Sequence, residues 1–229
     1  MQRYARITRK IPREIVLLKA LPCAWGRCTF CDYIEDNTTD QALIERVAER
    51  ELAKVTGEFG RLAVIDSASI QELPRTVWEM IRRKIVETGI TEFICESYWE
   101  HRGRFAEVRE FFGVPTRITI GVETFDHDLR NRVLNKNMHF DSPRDVAAVT
   151  NSVCLIVGFK GQTHDSVRRD LDILFEHFTY GCVNLLTPNV KNAALVDDAI
   201  KDWFRREYAW LNDHPTVEVL WRNTDFGVG

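Results

Sequence analysis

The chain has 229 residues, 45% apolar and 28% charged, an ordinary globular composition that excludes disordered, collagen-like and low-complexity proteins. With 31 basic residues against 34 acidic the formal charge is −3, which excludes a uniformly basic nucleic-acid coat but leaves room for a local basic patch. This length points to one domain spanning 1–229 with ample room for a buried core.

At the N-terminus Arg3, Arg6, Arg9, Lys10 and Arg13 precede the apolar run Ile15 to Leu18, an imitation of a signal peptide that Lys19 and Pro22 interrupt. No stretch approaches the roughly 20 apolar residues of a membrane span, so a cytoplasmic protein is expected. Short β-branched runs then alternate with longer amphipathic segments, which predicts a βα succession. Strands are expected at Glu14–Ala20, Arg61–Asp66, Thr91–Glu96, Arg117–Glu123, Asn151–Gly158 and Cys182–Leu186, with a last one at Thr216–Trp221. The first helix begins near Thr38, where Thr38 and Gln41 have capping-box spacing and Ile44, Val47, Ala48, Leu52 and Val55 share a face. Further helices are expected at Arg75–Thr88, Arg102–Phe112, Asp126–Asn135, Pro143–Val149 behind an N-capping Ser142, His164–Phe178 and Val196–Leu211. Six βα units of this kind suit either a partial α/β barrel or a doubly wound sheet, with the chemistry at the strand C-termini.

Three of the six cysteines crowd into Cys23, Cys28 and Cys31, in the loop after the first long strand. In a reducing compartment such a cluster reads as metal binding rather than as disulfides. Three thiolates can wrap one face of a 4Fe-4S cluster and leave one iron open to another molecule. A structural zinc site would ordinarily use four ligands. Cys95, Cys154 and Cys182 lie in predicted apolar strands, where a free cysteine behaves as a small core residue.

On these residues the chain resembles the radical S-adenosylmethionine (SAM) superfamily, whose three-cysteine loop follows the first strand of a partial (β/α)6 barrel and whose open iron takes SAM. The resemblance implies that Cys23, Cys28 and Cys31 are the ligands and that Phe30 packs beside the cluster or the adenine. Four residues rather than three separate Cys23 from Cys28, a departure that bears on the path of the loop. The superfamily's Gly-Gly-Glu is absent after the second strand. Asp66, Ser67 and Ser69 stand in its place, with acceptors suited to the SAM ammonium. Ile118 to Lys136 resembles a recurrent segment in which the strand-end carboxylate, here Glu123, meets the SAM ribose or methionine end. Gly158 on the fifth strand, and Pro188 and Asn189 after the sixth, are placed by the resemblance beside the adenine.

The third strand runs into Glu96, Tyr98, Trp99, His101 and Arg102, groups that suit stacking and hydrogen bonding of a heteroaromatic base, with Glu96 and His101 as catalytic candidates. Trp25, Arg27, Tyr33 and Asp36 are expected near the same mouth. The loop Leu-Pro-Cys-Ala-Trp-Gly-Arg-Cys-Thr-Phe-Cys-Asp-Tyr33, with the small size, resembles the queuosine (queuine) lyases. Those enzymes free the 7-deazaguanine base queuine from queuosine or its 5′-phosphate. The resemblance implies 5′-deoxyadenosyl-radical abstraction of a ribose hydrogen, an external electron donor such as flavodoxin or ferredoxin, a small-molecule substrate, and neither a membrane nor a stable nucleic-acid complex. Glu96, Glu100 or Glu123 would meet a cationic base, and Arg102 or Arg104 a 5′-phosphate. A tRNA- or nucleoside-modifying enzyme, an accessory subunit, and an electron-transfer or zinc-binding interaction protein are the alternatives. His127, His139, His164, His177 and His214 have no metal-like spacing.

Overall fold

A strand buried on both faces needs an unbroken apolar run, and β2 (Arg13–Leu18, REIVLL) and β6 (Ser152–Val157, SVCLIV) are buried at every position. The computed structural model describes all 229 residues. The remaining strands are β1 (Tyr4–Ile7), β3 (Arg61–Asp66), β4 (Glu92–Ser97), β5 (Thr116–Glu123), β7 (Tyr180–Leu185) and β8 (Val217–Leu220), each hydrogen-bonded to the next in chain order. The β1–β2 pair is antiparallel. Pairs β2–β3, β3–β4, β6–β7 and β7–β8 are parallel, as strands joined through helices must be. The crossovers carry α1 (Gln41–Leu52), α2 (Arg75–Thr88), α3 (Phe105–Phe112), α4 (Pro143–Ala147), α5 (His164–His177) and α6 (Asp198–Glu207).

The expected strands are all present, with ends displaced by a residue or two at most sites. Strand β1 was not anticipated, because its four residues YARI carry only the short apolar pair Ala5 and Ile7 and are flanked by Arg3 and Arg9, so that they read as part of a basic arm. The α1 cap is Asp40, whose carboxylate accepts from Leu43 N at 2.9 Å, rather than Thr38. Thr38 instead receives Asp40 N at 3.1 Å, so the two side chains act in series. The helix expected from Arg102 begins at Phe105, after a 3-10 turn over Trp99–Arg104. Over Asp126–Asn135 the chain forms a π turn at Leu129–Val133, a wider winding that an i, i+4 pattern does not foretell. The last helix divides into α6 and a 3-10 turn at Ala209–Asp213.

The chain divides into two compact units. Unit 1 holds residues 1–26, 33–119 and 226–229. Its core contains Ile15, Leu17, Ala63 and Val228, with Ala5, Tyr33 and Phe226 packed against them. Gln2 and Gly229 exchange backbone hydrogen bonds of 3.1 and 2.9 Å. Helices α1 and α2 bury Ile44, Val47, Ala48 and Leu52, and Val77, Trp78, Ile81 and Ile85. Trp78 donates its indole N–H to Ile70 O at 2.7 Å, so the ring is buried without an unmet donor.

Unit 2 holds residues 27–32 and 120–225. Leu134, Ile156, Phe159 and Leu186 form a core cluster that Phe30, Leu129 and Val133 join. Gly158 closes β6 at φ 96°, and a Cβ built there would stand 2.1 Å from Lys201 Cγ. The glycine is therefore required by its own backbone and by the Lys201 stem. Gly158→Ala is expected to lose about 2 kcal/mol of stability in a urea titration, from the strained φ together with the displaced lysine. A loss within experimental error would mean that this turn rearranges freely.

Candidate functional site

The cysteine loop divides between the units: Cys23 belongs to unit 1, Cys28 and Cys31 to unit 2. All three are partly exposed and none is in a disulfide. No group of three or more His, Cys, Asp or Glu side chains is gathered at metal-holding distance. Cys95 and Cys154 are buried in β4 and β6, and Cys182 lies on β7 with Sγ 3.3 Å from Asn184 Oδ1.

In unit 1 the Cys23 arm is pinned from two directions. Asn37 donates to Ser67 O at 3.0 Å and to Ser67 Oγ at 2.8 Å, and its own carbonyl oxygen receives Cys23 N at 3.3 Å. Ser67 Oγ also accepts Ala20 N at 3.0 Å. Glu72 takes Leu21 N on its backbone oxygen at 3.2 Å and Ala24 N on Oε1, also at 3.2 Å. The arm thus enters its turn with its backbone donors met. Gly26, in the left-handed region at φ 61°, turns the chain just before Cys28 and accommodates the additional residue of the spacing. Behind the arm, Asp36 receives Arg3 at 2.6 Å and Lys19 at 2.6 Å. Burial works to raise this carboxyl, but the hydrogen bonds from Arg3 and Lys19 outweigh it and hold the group below its ordinary value.

The stretch after β3 carries unmet polarity. Asp66 Oδ1 accepts Ala68 N at 2.7 Å, while Oδ2 is buried and has no partner. Burial, with smaller contributions from Glu72 and Glu96, pushes this carboxyl well above its ordinary range. Gln71 accepts Ser97 Oγ on Oε1 at 2.7 Å and leaves Nε2 buried and unpartnered. Glu72 Oε1 also meets His101 Nε2 at 2.7 Å, and its Oε2 is buried and unpartnered. A buried polar atom left unmet costs about 1–3 kcal/mol, and three such atoms fall within residues 66–72. Ser67 and Ser69 differ from this. Both are buried, and each oxygen accepts backbone N–H, Ser69 from Tyr98 N at 3.0 Å.

On β4 and the turn beyond, Glu96 and Tyr98 are partly buried. Trp99 is only 4% exposed, and the Arg102 guanidinium lies 4.4 Å from its ring centroid. Trp99 therefore presents its ring to Arg102 as an internal support rather than as an open stacking face. Arg102 also donates to Trp99 O at 3.2 Å and stands 3.8 Å from Glu100.

In unit 2 the segment 27–32 is held at nearly every peptide. Asn135 donates to Arg27 O at 2.8 Å, Thr29 N and Oγ1 reach Leu134 O and Val133 O at 3.1 and 2.9 Å, and Cys31 N reaches Cys28 O at 3.4 Å. Phe30 O receives both Asn189 Nδ2, at 3.1 Å, and Asn192 Nδ2, at 3.0 Å. The π turn and the loop after β7 are thus the supports of the Cys28–Cys31 arm, with Asn135 itself in the left-handed region at φ 48°. Pro188 is exposed beside Asn189.

Glu123 ends β5 at φ 67°, an unusual value for a side chain of this kind. The next residues fix it there. Arg130, fully buried, donates to Thr124 O at 3.0 Å and Met138 O at 2.9 Å, and Asp170 receives Phe125 N at 2.8 Å. Burial lifts the Asp170 carboxyl to about 6 and brings Arg130 down to about 10. Glu123 itself pairs with Lys136 at 2.5 Å.

Sequence reasoning missed Asn37, Glu72, Lys136 and Asn192 as site builders. Their one shared signal is a polar or charged residue near a strand end or turn, which is common in any chain.

No family model matches the sequence. Among solved structures, the chain is similar to the queuine lyase from Clostridium spiroforme bound to SAM and queuine, with 40% identity, a TM-score of 0.97, and coverage of 100% of this chain and 99% of that one. SuiB from Streptococcus suis bound to S-adenosylmethionine has TM-score 0.55 and 9% identity over 90% of this chain and 49% of that one, a likeness of fold alone. An uncharacterized protein of Methanocaldococcus jannaschii is 23% identical over 141 residues, 54% of this chain and 38% of that protein, so the chain spans under two-fifths of this curated relative.

Proposed function

The chain belongs to the queuine lyase family of radical SAM enzymes, and from that membership we propose that it releases queuine from queuosine or queuosine 5′-phosphate, using a 4Fe-4S cluster and SAM. The observation that carries this reading is 40% identity to a queuine lyase over the whole of both chains. The fold is the radical SAM partial (β/α)6 barrel, to which β1 adds an antiparallel strand.

The residues suit these cofactors. Cys23, Cys28 and Cys31 offer three thiols outside any disulfide on braced backbone, a donor set suited to hold a cluster and leave one iron for SAM. Bound there, the cluster and SAM would supply 5′-deoxyadenosyl-radical chemistry directed at a ribose hydrogen of the substrate. The protein's own work is to hold, orient and exclude water. We assign the unmet oxygens of Asp66 and Glu72 to ammonium groups, of which SAM carries one and the amine-bearing side chain of queuine another, and Gln71 Nε2 to a ligand acceptor. Ser67 and Ser69 brace this stretch from behind. Glu123 is assigned to ribose hydroxyls, and Phe30, Gly158, Pro188 and Asn189 to the adenine side. Glu96 and Tyr98 take the base, with Trp99 and Arg102 as their support. His101, fixed by Glu72, is placed to hold or pass a proton as the base departs.

The electron is assigned to an external flavodoxin- or ferredoxin-type donor, with no membrane and no stable nucleic-acid complex. No helix is long and apolar enough to cross a membrane.

Anaerobic incubation of the cluster-reconstituted protein with SAM, a strong reductant and queuosine or its 5′-phosphate is expected to yield 5′-deoxyadenosine and queuine together, both lost when SAM is omitted. Formation of 5′-deoxyadenosine without queuine would remove the substrate assignment. Failure to form either, with the cluster intact, would favour an electron-transfer or accessory role.

A further inference from the structure

One charged side chain beside the Cys28–Cys31 arm has no place in the assignments above. Lys136 follows the π turn whose end holds Thr29, and its ammonium lies 5.4 Å from the ring centroid of Phe30, one of the two residues between the cysteines. It is almost wholly buried, with a side-chain exposure of 12%, and its partner Glu123 is at 7%. A surface lysine would swing away into water, but this one is fixed at 2.5 Å from Glu123 Oε1. The fixing extends to the strand beneath. A Cβ built at Gly121 would stand 2.5 Å from Glu123 Oε1 and 3.1 Å from Lys136 Nζ, so β5 keeps a glycine where the pair lies over it.

We propose that Lys136 is a tuning residue for the iron–sulfur cluster: its buried ammonium, aimed by Glu123, stabilises the more negative reduced state of a cluster held by the Cys28–Cys31 arm. The inference rests on the iron–sulfur reading given above. Reduction adds one negative charge to a group already held by thiolates, and a fixed, largely buried cation beside the ring of Phe30 in the ligand arm lowers the energy of that added charge. Glu123 opposes it. The two side chains therefore act on the cluster with opposite signs, and each sets the position of the other.

That opposition gives a test which simple loss of packing does not imitate. The full-length, reconstituted holoprotein without SAM is titrated with a reductant and followed by electron paramagnetic resonance of the reduced cluster, with iron content measured in parallel. Lys136→Met is expected to lower the reduced-to-oxidised ratio at fixed potential about tenfold, a shift of about 59 mV toward more negative values for a one-electron couple. Glu123→Gln, which leaves the ammonium unopposed, is expected to shift the midpoint the other way. The double variant is expected to fall between them. Unchanged midpoints in both single variants, with full iron content, would overturn the inference and leave the lyase reading standing. Shifts of the same sign in both would overturn it too, since they would report a shared structural effect. A wild-type protein that assembles no cluster would overturn the iron–sulfur reading itself.

Discussion

Cys28→Ala is expected to abolish cluster assembly and queuine release together while leaving the fold intact. The thiol is partly exposed and in no disulfide, and the 27–32 segment is held through backbone atoms that the substitution does not alter. Its effect on unfolding should therefore stay within about 0.5 kcal/mol, the range of an ordinary surface change. Turnover is another matter. The cofactor performs the difficult step, so loss of one of three ligands should reduce 5′-deoxyadenosine formation by on the order of 10³-fold or more. Iron content, visible absorption and thermal unfolding measured on one preparation separate the two effects. Full turnover in Cys28→Ala would remove that residue from the ligand set, and parallel loss in Cys31→Ala alone would then point to a different third ligand.

Arg130→Met should produce the largest loss of stability in unit 2, about 3–5 kcal/mol at neutral pH. Arg130 is 1% exposed, its guanidinium donates to Met138 O and Thr124 O, and it lies 3.9 Å from the centroid of the Phe140 ring. Methionine fills much of the volume but takes the guanidinium away from both carbonyls, leaving Met138 O to Asn131 Nδ2 at 3.1 Å, and it strips the nearby Asp170 of a cation that favours its charged form. The pH dependence follows from Asp170, whose carboxyl rises from 3.8 to about 6 on burial. A folded state that binds this proton more tightly than the unfolded chain has that contribution in full below about pH 4 and loses it as the pH passes through about 6. Without Arg130, ionising Asp170 is harder still, so the deficit of the variant should grow between about pH 5 and about pH 7.5. Denaturant titrations of the cluster-free protein at the two values measure it. A pH-independent deficit would detach Asp170 from this clamp, and a deficit below about 1 kcal/mol would mean that the two carbonyls find other donors.

Much of the architecture could be read from the residues because burial on both faces writes itself as continuous apolar runs. The β3 and α2 bounds, Arg61–Asp66 and Arg75–Thr88, coincide with the expectation. Elements whose reason lies elsewhere in the chain were not legible. Strand β1 is specified by its partner β2 and by Asp36, 33 residues away, which receives the neighbouring Arg3. The π turn is specified by what it carries, since its carbonyls hold Thr29. The same division runs through the candidate site. Three cysteines in nine residues are a local signal, and so is a strand-end carboxylate such as Glu123. Asn37, Glu72 and Asn192 acquire their roles only when distant backbone arrives at their side chains, as when Phe30 O meets Asn192 across 162 positions. Trp99 shows the opposite failure: its type suited a ligand face, but Arg102, three residues on, covers the ring.

The Gln2–Gly229 pairing and the packing of Phe226 and Val228 against Ile15, Leu17 and Ala63 also bear on how the protein is made. A ribosome delivers the first strands of unit 1 long before the segment that completes their core. Until residues 226–229 emerge, the Ile15–Leu17–Ala63 surface lacks part of its cover, a condition that invites holdase chaperones and slows the final closure because the contacts are so distant in sequence. A chain lacking residues 226–229 would therefore leave unit 1 with an exposed apolar seam, a natural handle for cellular quality control.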